Sequence, residues 1–198
     1  MDNTKAIFLD IDGVLNNCST DKKTRSKSSC GSYVGIDKDK TKLLAKIVKE
    51  TDAILVLSSS WKIGWEPKGD YNKESVYNYH AKYLDNHLKK KGGLVLQDKT
   101  RERNLDERGM GIKAYLILHP KITNWIVLDD EIFADFQIRG IMPHLVKTDP
   151  LTGLTDECAE AAIKMLNGQI QGPYYADSQF FNTEVLNKQA GPANKERK

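Results

Sequence analysis

The sequence lacks the features that would direct a chain into or across a membrane. No apolar run approaches the roughly 20 residues that a membrane-spanning helix needs. The first residues, MDNTKAIFLDIDG, do not resemble a secretory signal, because their apolar run is short and ends in aspartate. We therefore expect a cytoplasmic protein with no membrane partner.

Cysteine is scarce. The three cysteines, Cys18, Cys30 and Cys158, are odd in number and form no C-x-x-C pair, which argues against a disulfide scaffold. Cys18 and Cys30 flank a polar loop and could form a disulfide or half of a metal site. No histidine lies near them in the sequence, so we expect two free thiols.

Charge of one sign is also limited. The net charge is +3 and the pI is about 8.6, which is too weakly basic to indicate nucleic-acid binding by itself. Basic residues concentrate in three places, at residues 21–29, 87–91 and 194–198. A solvated loop, a helix end and a tail explain all three. The alternative for the first cluster, which lies close to a pair of aspartates, is that it guides an anionic substrate.

Apolar strands alternate along the chain with amphipathic helices. The chain has 198 residues, 39% of them hydrophobic, which suits one domain. Apolar runs predict strands at 6–10, 53–58, 94–98, 125–130 and 144–148. Helical spacing of apolar residues predicts helices at 37–51, 74–91, 111–118 and from the cap Thr155 to about Asn167. This order predicts a doubly wound α/β fold, with a mainly parallel central sheet, helices on both faces and a small cap or none.

Three of the predicted strands end in acidic or hydroxyl side chains. The first ends at Asp10 and Asp12. The second ends at the serine run 58–60, and the fourth ends at Asp129 and Asp130. The carboxyl ends of parallel strands share one edge of a sheet, where such sheets place their ligand sites. Four carboxylates at one edge repel one another unless a cation lies between them, and hard oxygen ligands favour Mg²⁺ over zinc.

The run DIDGVLN after the first strand is the most specific motif in the chain. It is followed by LVLSSSW with Ser58, by ERGMGIKAYL with Lys113 or Arg108, and by VLDDE with its acidic pair. In this order the motifs resemble those of the haloacid dehalogenase (HAD) superfamily, most members of which are Mg²⁺-dependent phosphatases. The resemblance covers about residues 5–167. The set SSSW…RG…LDD…LVKTDPLTGLT resembles the branch of the superfamily that is associated with RNA-repair proteins.

The resemblance implies catalytic roles for four residues. Asp10 would attack the phosphorus atom and form an aspartyl-phosphate. Asp12 would protonate the leaving oxygen and then deprotonate the attacking water. Lys113 or Arg108 would neutralise charge on the phosphoryl group and the nucleophile.

The resemblance also implies the binding groups. The Mg²⁺ ligands would be Asp10, the backbone carbonyl of Asp12, and Asp129 or Asp130. The groups expected to bind the phosphoryl oxygens are Ser58, Ser59, the backbone N–H of Ile11, and Gly13. The serine run leaves open which serine takes this role. Gly13 would also let the chain turn sharply beside the metal, where a Cβ would be in the way.

These side chains also have ordinary structural explanations. The carboxylates and Ser58 could cap turns or helices, and either cation could be solvated. Asp135 is expected at the surface, with an outer contact to the metal as the alternative. Trp61 and Trp65 could stack on a substrate base, but anchoring a loop in the core is the expected role.

Two stretches are candidate inserts over the site, at residues 16–36 and 61–76. Neither is long enough for a large cap domain, so we expect an open site that admits a bulky phosphorylated substrate, with a nucleotide or an RNA or DNA end favoured. The alternatives to a phosphatase are a phosphotransferase or phosphomutase with the same nucleophile, and a non-catalytic module that binds phosphate or nucleic acid.

The last part of the chain lies outside the resemblance. We expect residues 1–167 to form the HAD-like domain and residues 168–198 to form an extension. Packing of the extension against the domain is expected of Tyr174, Tyr175, Phe180 and Phe181, with binding of a partner as the alternative, and the end of the chain would be a partly mobile polar tail.

Overall fold

Six strands form one parallel sheet in the computed structural model, which describes residues 4–17, 25–27, 33–67, 78–102 and 104–176. The strands are β1 (Thr4–Leu9), β2 (Arg25–Lys27), β3 (Tyr33–Gly35), β4 (Ile54–Leu57), β5 (Leu96–Lys99), β6 (Ile122–Asp129), β7 (Leu145–Lys147) and β8 (Tyr174–Tyr175). The order across the sheet is β5-β4-β1-β6-β7-β8, and β2 pairs with β3 in a separate antiparallel hairpin.

The helices of the described residues are α1 (Lys38–Thr51), α2 (Asn78–Gly92), α3 (Arg108–Leu118) and α4 (Asp156–Leu166). Two of them begin at the caps expected from sequence. The Asp37 carboxylate accepts the N–H of Asp39 at 2.7 Å, and the Thr155 hydroxyl accepts the N–H of Cys158 at 3.3 Å.

The helices cover both faces of the sheet, as predicted. Alternate residues of β1 point to opposite faces. Ile7 and Leu9 lie in a core cluster with residues of α1, α2 and α4. Ala6 and Phe8 lie in a second cluster with α3 and with the segment 133–142. The doubly wound α/β prediction is therefore confirmed.

The direction in which the chain crosses the sheet reverses beside β1. The chain runs outward from β1 to β4 and β5, then returns to β6 on the other side of β1. Parallel sheets bind ligands outside the carboxyl ends of the strands at such a reversal. The residues that follow β1 and end β6 therefore occupy the expected ligand position.

Several element boundaries differ from the sequence prediction. α3 starts at Arg108 rather than at 111, because the Asp135 carboxylate accepts the N–H groups of Gly109 and Met110 and so caps the helix. The cap comes from a later loop and is not visible in the local sequence. The first insert contains the β2–β3 hairpin, and β8 adds a strand beyond the predicted domain limit at 167.

Some predictions fall partly or wholly outside the described residues. They concern Cys18, Cys30, most of the basic cluster 21–29, part of the second insert, and the tail. The remaining cysteine, Cys158, is buried with a free thiol. The lysines of the 87–91 cluster that end α2 are exposed, as expected for a solvated helix end. None of the described helices combines the length and the apolar character that crossing a bilayer requires.

Candidate active site

Asp10, Ser58 and Asp129 lie at neighbouring strand ends on the carboxyl edge of the sheet. Asp10 follows β1, and its N–H donates to the Leu128 carbonyl of β6 at 2.9 Å. Ser58 follows β4, and its N–H donates to the Leu9 carbonyl of β1 at 2.9 Å. The backbone ladder of the sheet thus fixes the distances between these residues, although they lie far apart in sequence.

Three carboxylates meet at this edge. One oxygen of each of Asp10, Asp129 and Asp130 lies within 4.8 Å of the other two. Asp10 is 5% exposed and Asp129 is fully buried. Burial raises the pKa of Asp10 well above its usual range, and the charge of Asp129 raises it further. Burial also raises the pKa of Asp129 to about 6 and raises that of Asp130. The anionic cluster is therefore unfavourable unless cations compensate it.

Arg108 supplies one compensating cation. Its Nη1 lies 2.9 Å from Oδ1 of Asp10 and 2.5 Å from Oδ2 of Asp129, so one guanidinium nitrogen bridges the two buried carboxylates. The guanidinium carbon also lies over the Phe133 ring, 4.2 Å from its centroid, and this cation–π contact helps to hold the guanidinium in place. Of the two cations predicted from sequence, Arg108 is the one in the site.

Lys113, the other predicted cation, is not brought to the carboxylates. Its Nζ lies 5.3 Å from the centroid of the Trp125 ring. Arg108 is the first residue of α3, at the end that faces the site, and Lys113 lies more than one turn further along the helix. The structure therefore places Arg108, and not Lys113, beside Asp10 and Asp129.

Asp135 fixes the start of α3 and with it the position of Arg108. Its carboxylate accepts the N–H of Gly109 at 3.1 Å and that of Met110 at 2.8 Å, and Arg139 Nε donates to it at 3.2 Å. A Cβ on Gly109 would lie 2.8 Å from Asp135 Oδ1, so a glycine is needed for this approach. Asp135 is 8% exposed, and the prediction of a surface acid is wrong.

The two serines after β4 differ in their contacts. Both are 1% exposed. Ser59 hydrogen bonds to the Asp10 carboxylate and caps the short 3₁₀ turn Ser60–Lys62 by accepting the N–H of Trp61 at 3.4 Å. The Ser58 hydroxyl is buried and has no hydrogen-bond partner within the described part of the chain. Buried hydroxyls are normally paired, so the Ser58 hydroxyl can donate to a group that enters the site.

Gly13 gives Asp130 the space to lie close to the turn after β1. Its φ of +68° lies in the left-handed region, and a Cβ would lie 2.2 Å from Oδ2 of Asp130. Its N–H already donates to Asn16 Oδ1 at 3.1 Å. The binding of phosphate by Gly13 stays a prediction, and the prediction that a Cβ would be in the way is confirmed. The Ile11 carbonyl closes this turn by accepting the N–H of Leu15 at 2.8 Å.

The Asp12 carboxylate lies apart from the three-carboxylate cluster and is held by two donors. Trp61 Nε1 donates to its Oδ2 at 2.8 Å, and Asn16 Nδ2 donates to its Oδ1 at 2.8 Å. Trp61 is 7% exposed and Trp65 is 1% exposed, so neither ring is free to stack on a base. Trp65 anchors its loop by donating from Nε1 to Asp85 Oδ1 at 2.8 Å.

Sequence reasoning missed several residues that support the site. Asn16 and Thr148 were not named at all, and Trp61 at Asp12 and Asp135 at the start of α3 were named with other roles. The Thr148 hydroxyl donates to the Gly13 carbonyl at 2.7 Å. Thr148 follows β7, so the rule that selected polar residues at strand ends would have found it. The other three contacts depend on loop conformation and leave no comparable signal.

The three-carboxylate cluster fits a divalent cation of the Mg²⁺ type. It offers anionic oxygen atoms only, it is buried on one side, and Gly13 leaves the space in which Asp130 lies. Asp10, Asp129 and Asp130 would hold the ion, whose charge would balance the part of the cluster that Arg108 leaves uncompensated.

The chain matches a known family over most of its length. Residues 6–159 match the family described as the HAD domain in Swiss Army Knife RNA repair proteins. No curated protein and no solved structure matches the chain significantly. The family match covers more than half of the chain and includes all the strand ends that form the site, so it confirms the resemblance drawn from the motifs.

Substitution of Gly13 tests the link between the turn and the metal site. In Gly13→Ala we expect an unfavourable left-handed backbone, worth about 1–2 kcal/mol, and a displaced Asp130. The rise in melting temperature that Mg²⁺ gives to the wild type should be lost. Gly168→Ala is the matched control, because Gly168 has a φ of +70° with nothing within 4 Å of its Cβ position. An unchanged Mg²⁺ response in Gly13→Ala would contradict the assignment of Asp130.

Proposed function

The chain belongs to the family of HAD domains in Swiss Army Knife RNA repair proteins, and from this membership and the site geometry we propose that it is a Mg²⁺-dependent phosphomonoester hydrolase. Membership by itself supports phosphoryl transfer. The finer proposal is that Asp10 is the nucleophile and that the reaction passes through an aspartyl-phosphate.

The surroundings of Asp10 carry the proposal. Its carboxylate is buried at the reversal point of the sheet, Arg108 contacts its Oδ1, and Ser59 hydrogen bonds to it. A carboxylate held in one orientation and shielded from water is suited to in-line attack, because little reorganisation precedes the reaction. A carboxylate that only capped a turn would not require a buried arginine that it shares with a second acid.

The proposed reaction has two steps. In the first, an Asp10 oxygen forms a bond to phosphorus, the bond to the leaving oxygen breaks, and Asp12 gives that oxygen a proton. In the second, water attacks the phosphorus and gives a proton to Asp12, and the bond from phosphorus to Asp10 breaks, which releases inorganic phosphate and restores the Asp10 carboxylate and the protonated Asp12.

Other residues would stabilise charge during both steps. Arg108 would neutralise charge on Asp10 and on the transferring group, and the Ser58 hydroxyl and the Ile11 N–H would bind non-bridging oxygens. Mg²⁺, when bound by Asp10, Asp129, Asp130 and the Asp12 carbonyl, would supply Lewis-acid stabilisation of the phosphoryl oxygens.

We propose a nucleotide or a polynucleotide end as the substrate. The family description refers to RNA repair, and the first insert carries the basic cluster 21–29. A phosphotransferase or phosphomutase would use the same nucleophile and would transfer phosphate to an added sugar or alcohol. A module that only binds phosphate is less well supported, because the carboxylate cluster, Asp12 and Arg108 are all retained in the sequence.

Replacement of the nucleophile tests the proposal directly. Asp10→Asn is nearly the same size but cannot attack phosphorus, so phosphate release from a generic aryl phosphate with Mg²⁺ should fall by about 10³-fold or more. Circular dichroism and the melting temperature should show that the variant is folded. Equal phosphate release by the variant and the wild type would rule out Asp10 as the nucleophile.

The identity of the cation is tested by a pair of variants. Arg108→Ala should lower kcat/KM for an aryl phosphate by about 10²–10³-fold, because charge on Asp10 and on the phosphoryl group loses its partner. Lys113→Ala should change kcat/KM by less than about 3-fold, because its neighbour is Trp125. The reverse order of effects would restore Lys113 as the site cation.

The basic cluster tests the substrate class. Replacing Lys22, Lys23, Arg25 and Lys27 by glutamine should lower kcat/KM for a 3′-phosphorylated oligonucleotide by about 10-fold or more at low salt and should reduce its salt dependence. The same variant should hydrolyse an aryl phosphate normally, and a 5′-phosphorylated oligonucleotide should be assayed alongside. Unchanged release of phosphate from both oligonucleotides would exclude a substrate role for this cluster.

A further inference from the structure

The Asp12 carboxylate is held by donors from the two inserted stretches. Asn16 stands at the start of the first insert and Trp61 at the start of the second. Asn16 Nδ2 donates both to Asp12 Oδ1 and to the Gly35 carbonyl, at 2.8 and 3.1 Å, so it ties Asp12 to the end of the β2–β3 hairpin. Within the described residues each Asp12 oxygen therefore accepts from one side-chain donor, which leaves it a second lone pair for a proton.

Trp61 is itself firmly placed. Trp61 is 7% exposed, its backbone N–H donates to Ser59 Oγ at the start of the 3₁₀ turn, and its ring centroid lies 5.6 Å from that of His80 in α2. The indole N–H is a donor only and neither ionises nor accepts a proton at neutral pH. It can therefore orient Asp12 without competing for the proton that Asp12 transfers.

From these contacts we propose that Trp61 is a positioning residue for the general acid and base Asp12, an inference that rests on the proposed phosphatase function. The indole N–H holds Oδ2 of Asp12 so that the free lone pairs of the carboxylate face the leaving oxygen and, later, the attacking water. Loss of this bond lets an otherwise exposed carboxylate rotate and slows proton transfer.

The chain contains a matched control for this bond. Trp65 is also buried, also follows β4, and also donates from Nε1 to an aspartate at 2.8 Å, but its partner is Asp85 of α2. Trp61→Phe and Trp65→Phe each remove one indole–carboxylate hydrogen bond and keep an aromatic ring. A general loss of packing or stability should affect both variants, whereas a role at Asp12 should affect only one.

The kinetic test compares leaving groups through kcat/KM, which reports the step in which the leaving oxygen departs. An aryl phosphate such as p-nitrophenyl phosphate needs little help from an acid, and an alkyl phosphate such as β-glycerophosphate needs much. Trp61→Phe should lower kcat/KM for the alkyl ester by about 10–100-fold and for the aryl ester by less than about 3-fold. Trp65→Phe should leave the ratio of the two substrates at the wild-type value. Equal losses on both esters, or the same change in Trp65→Phe, would overturn the proposal.

A second measurement tests the contact without relying on activity. The three tryptophans give three indole N–H resonances, which the variants Trp61→Phe and Trp65→Phe assign. In Asp12→Ala the Trp61 resonance should move upfield, because its charged acceptor is gone, and the Trp65 resonance should stay in place. A Trp61 resonance that does not move would overturn the proposal, whatever the kinetics. If the wild type shows no Mg²⁺-dependent phosphate release, the proposed function and the role of Trp61 in it are both overturned. The Trp61 indole resonance would still report whether Trp61 contacts Asp12.

Discussion

The structure of the site depends on the burial of two like charges side by side. The register of β1 and β6 pairs Leu9 with Leu128, and the next residue on each strand is an aspartate. Asp10 and Asp129 are thereby held close together away from water, where two anions are strongly unfavourable. The raised pKa values of both side chains reflect this constraint. Arg108 offsets part of the charge, and the remainder, together with Asp130, is what makes the edge suited to a divalent cation.

The surrounding residues keep this arrangement from relaxing. Asp135 caps α3 and so holds Arg108 between the two carboxylates. Gly13 allows Asp130 to lie close to the backbone turn, and Thr148 fixes that turn from β7. These contacts come from separate loops at one edge of the sheet. The sheet sets the positions of the reacting groups, and the loops set their orientation, as is common in α/β enzymes.

The sequence was sufficient for the fold class and for the centre of the site. Strong apolar runs identified the central strands, and polar residues at their carboxyl ends identified Asp10, Ser58, Asp129 and Asp130. The orientation of the side chains could not be obtained in this way. The sequence pattern did not distinguish Arg108 from Lys113 as the site cation. The residue that reaches the carboxylates depends on where α3 starts. Asp135, which lies far away in sequence, fixes that start by capping the helix. The contact of Trp61 with Asp12 likewise depends on a 3₁₀ turn that hydrophobic periodicity does not detect.

The central claim is that Asp10 carries the phosphoryl group during turnover. The most direct measurement is to mix the protein with Mg²⁺ and a phosphorylated substrate, stop the reaction with acid during steady-state turnover, and locate any bound phosphoryl group by peptide mass spectrometry. The account predicts one phosphoryl group on the peptide that contains Asp10, labile to hydroxylamine and absent in Asp10→Asn. Active turnover with no trapped group, or a group on another residue, would contradict it.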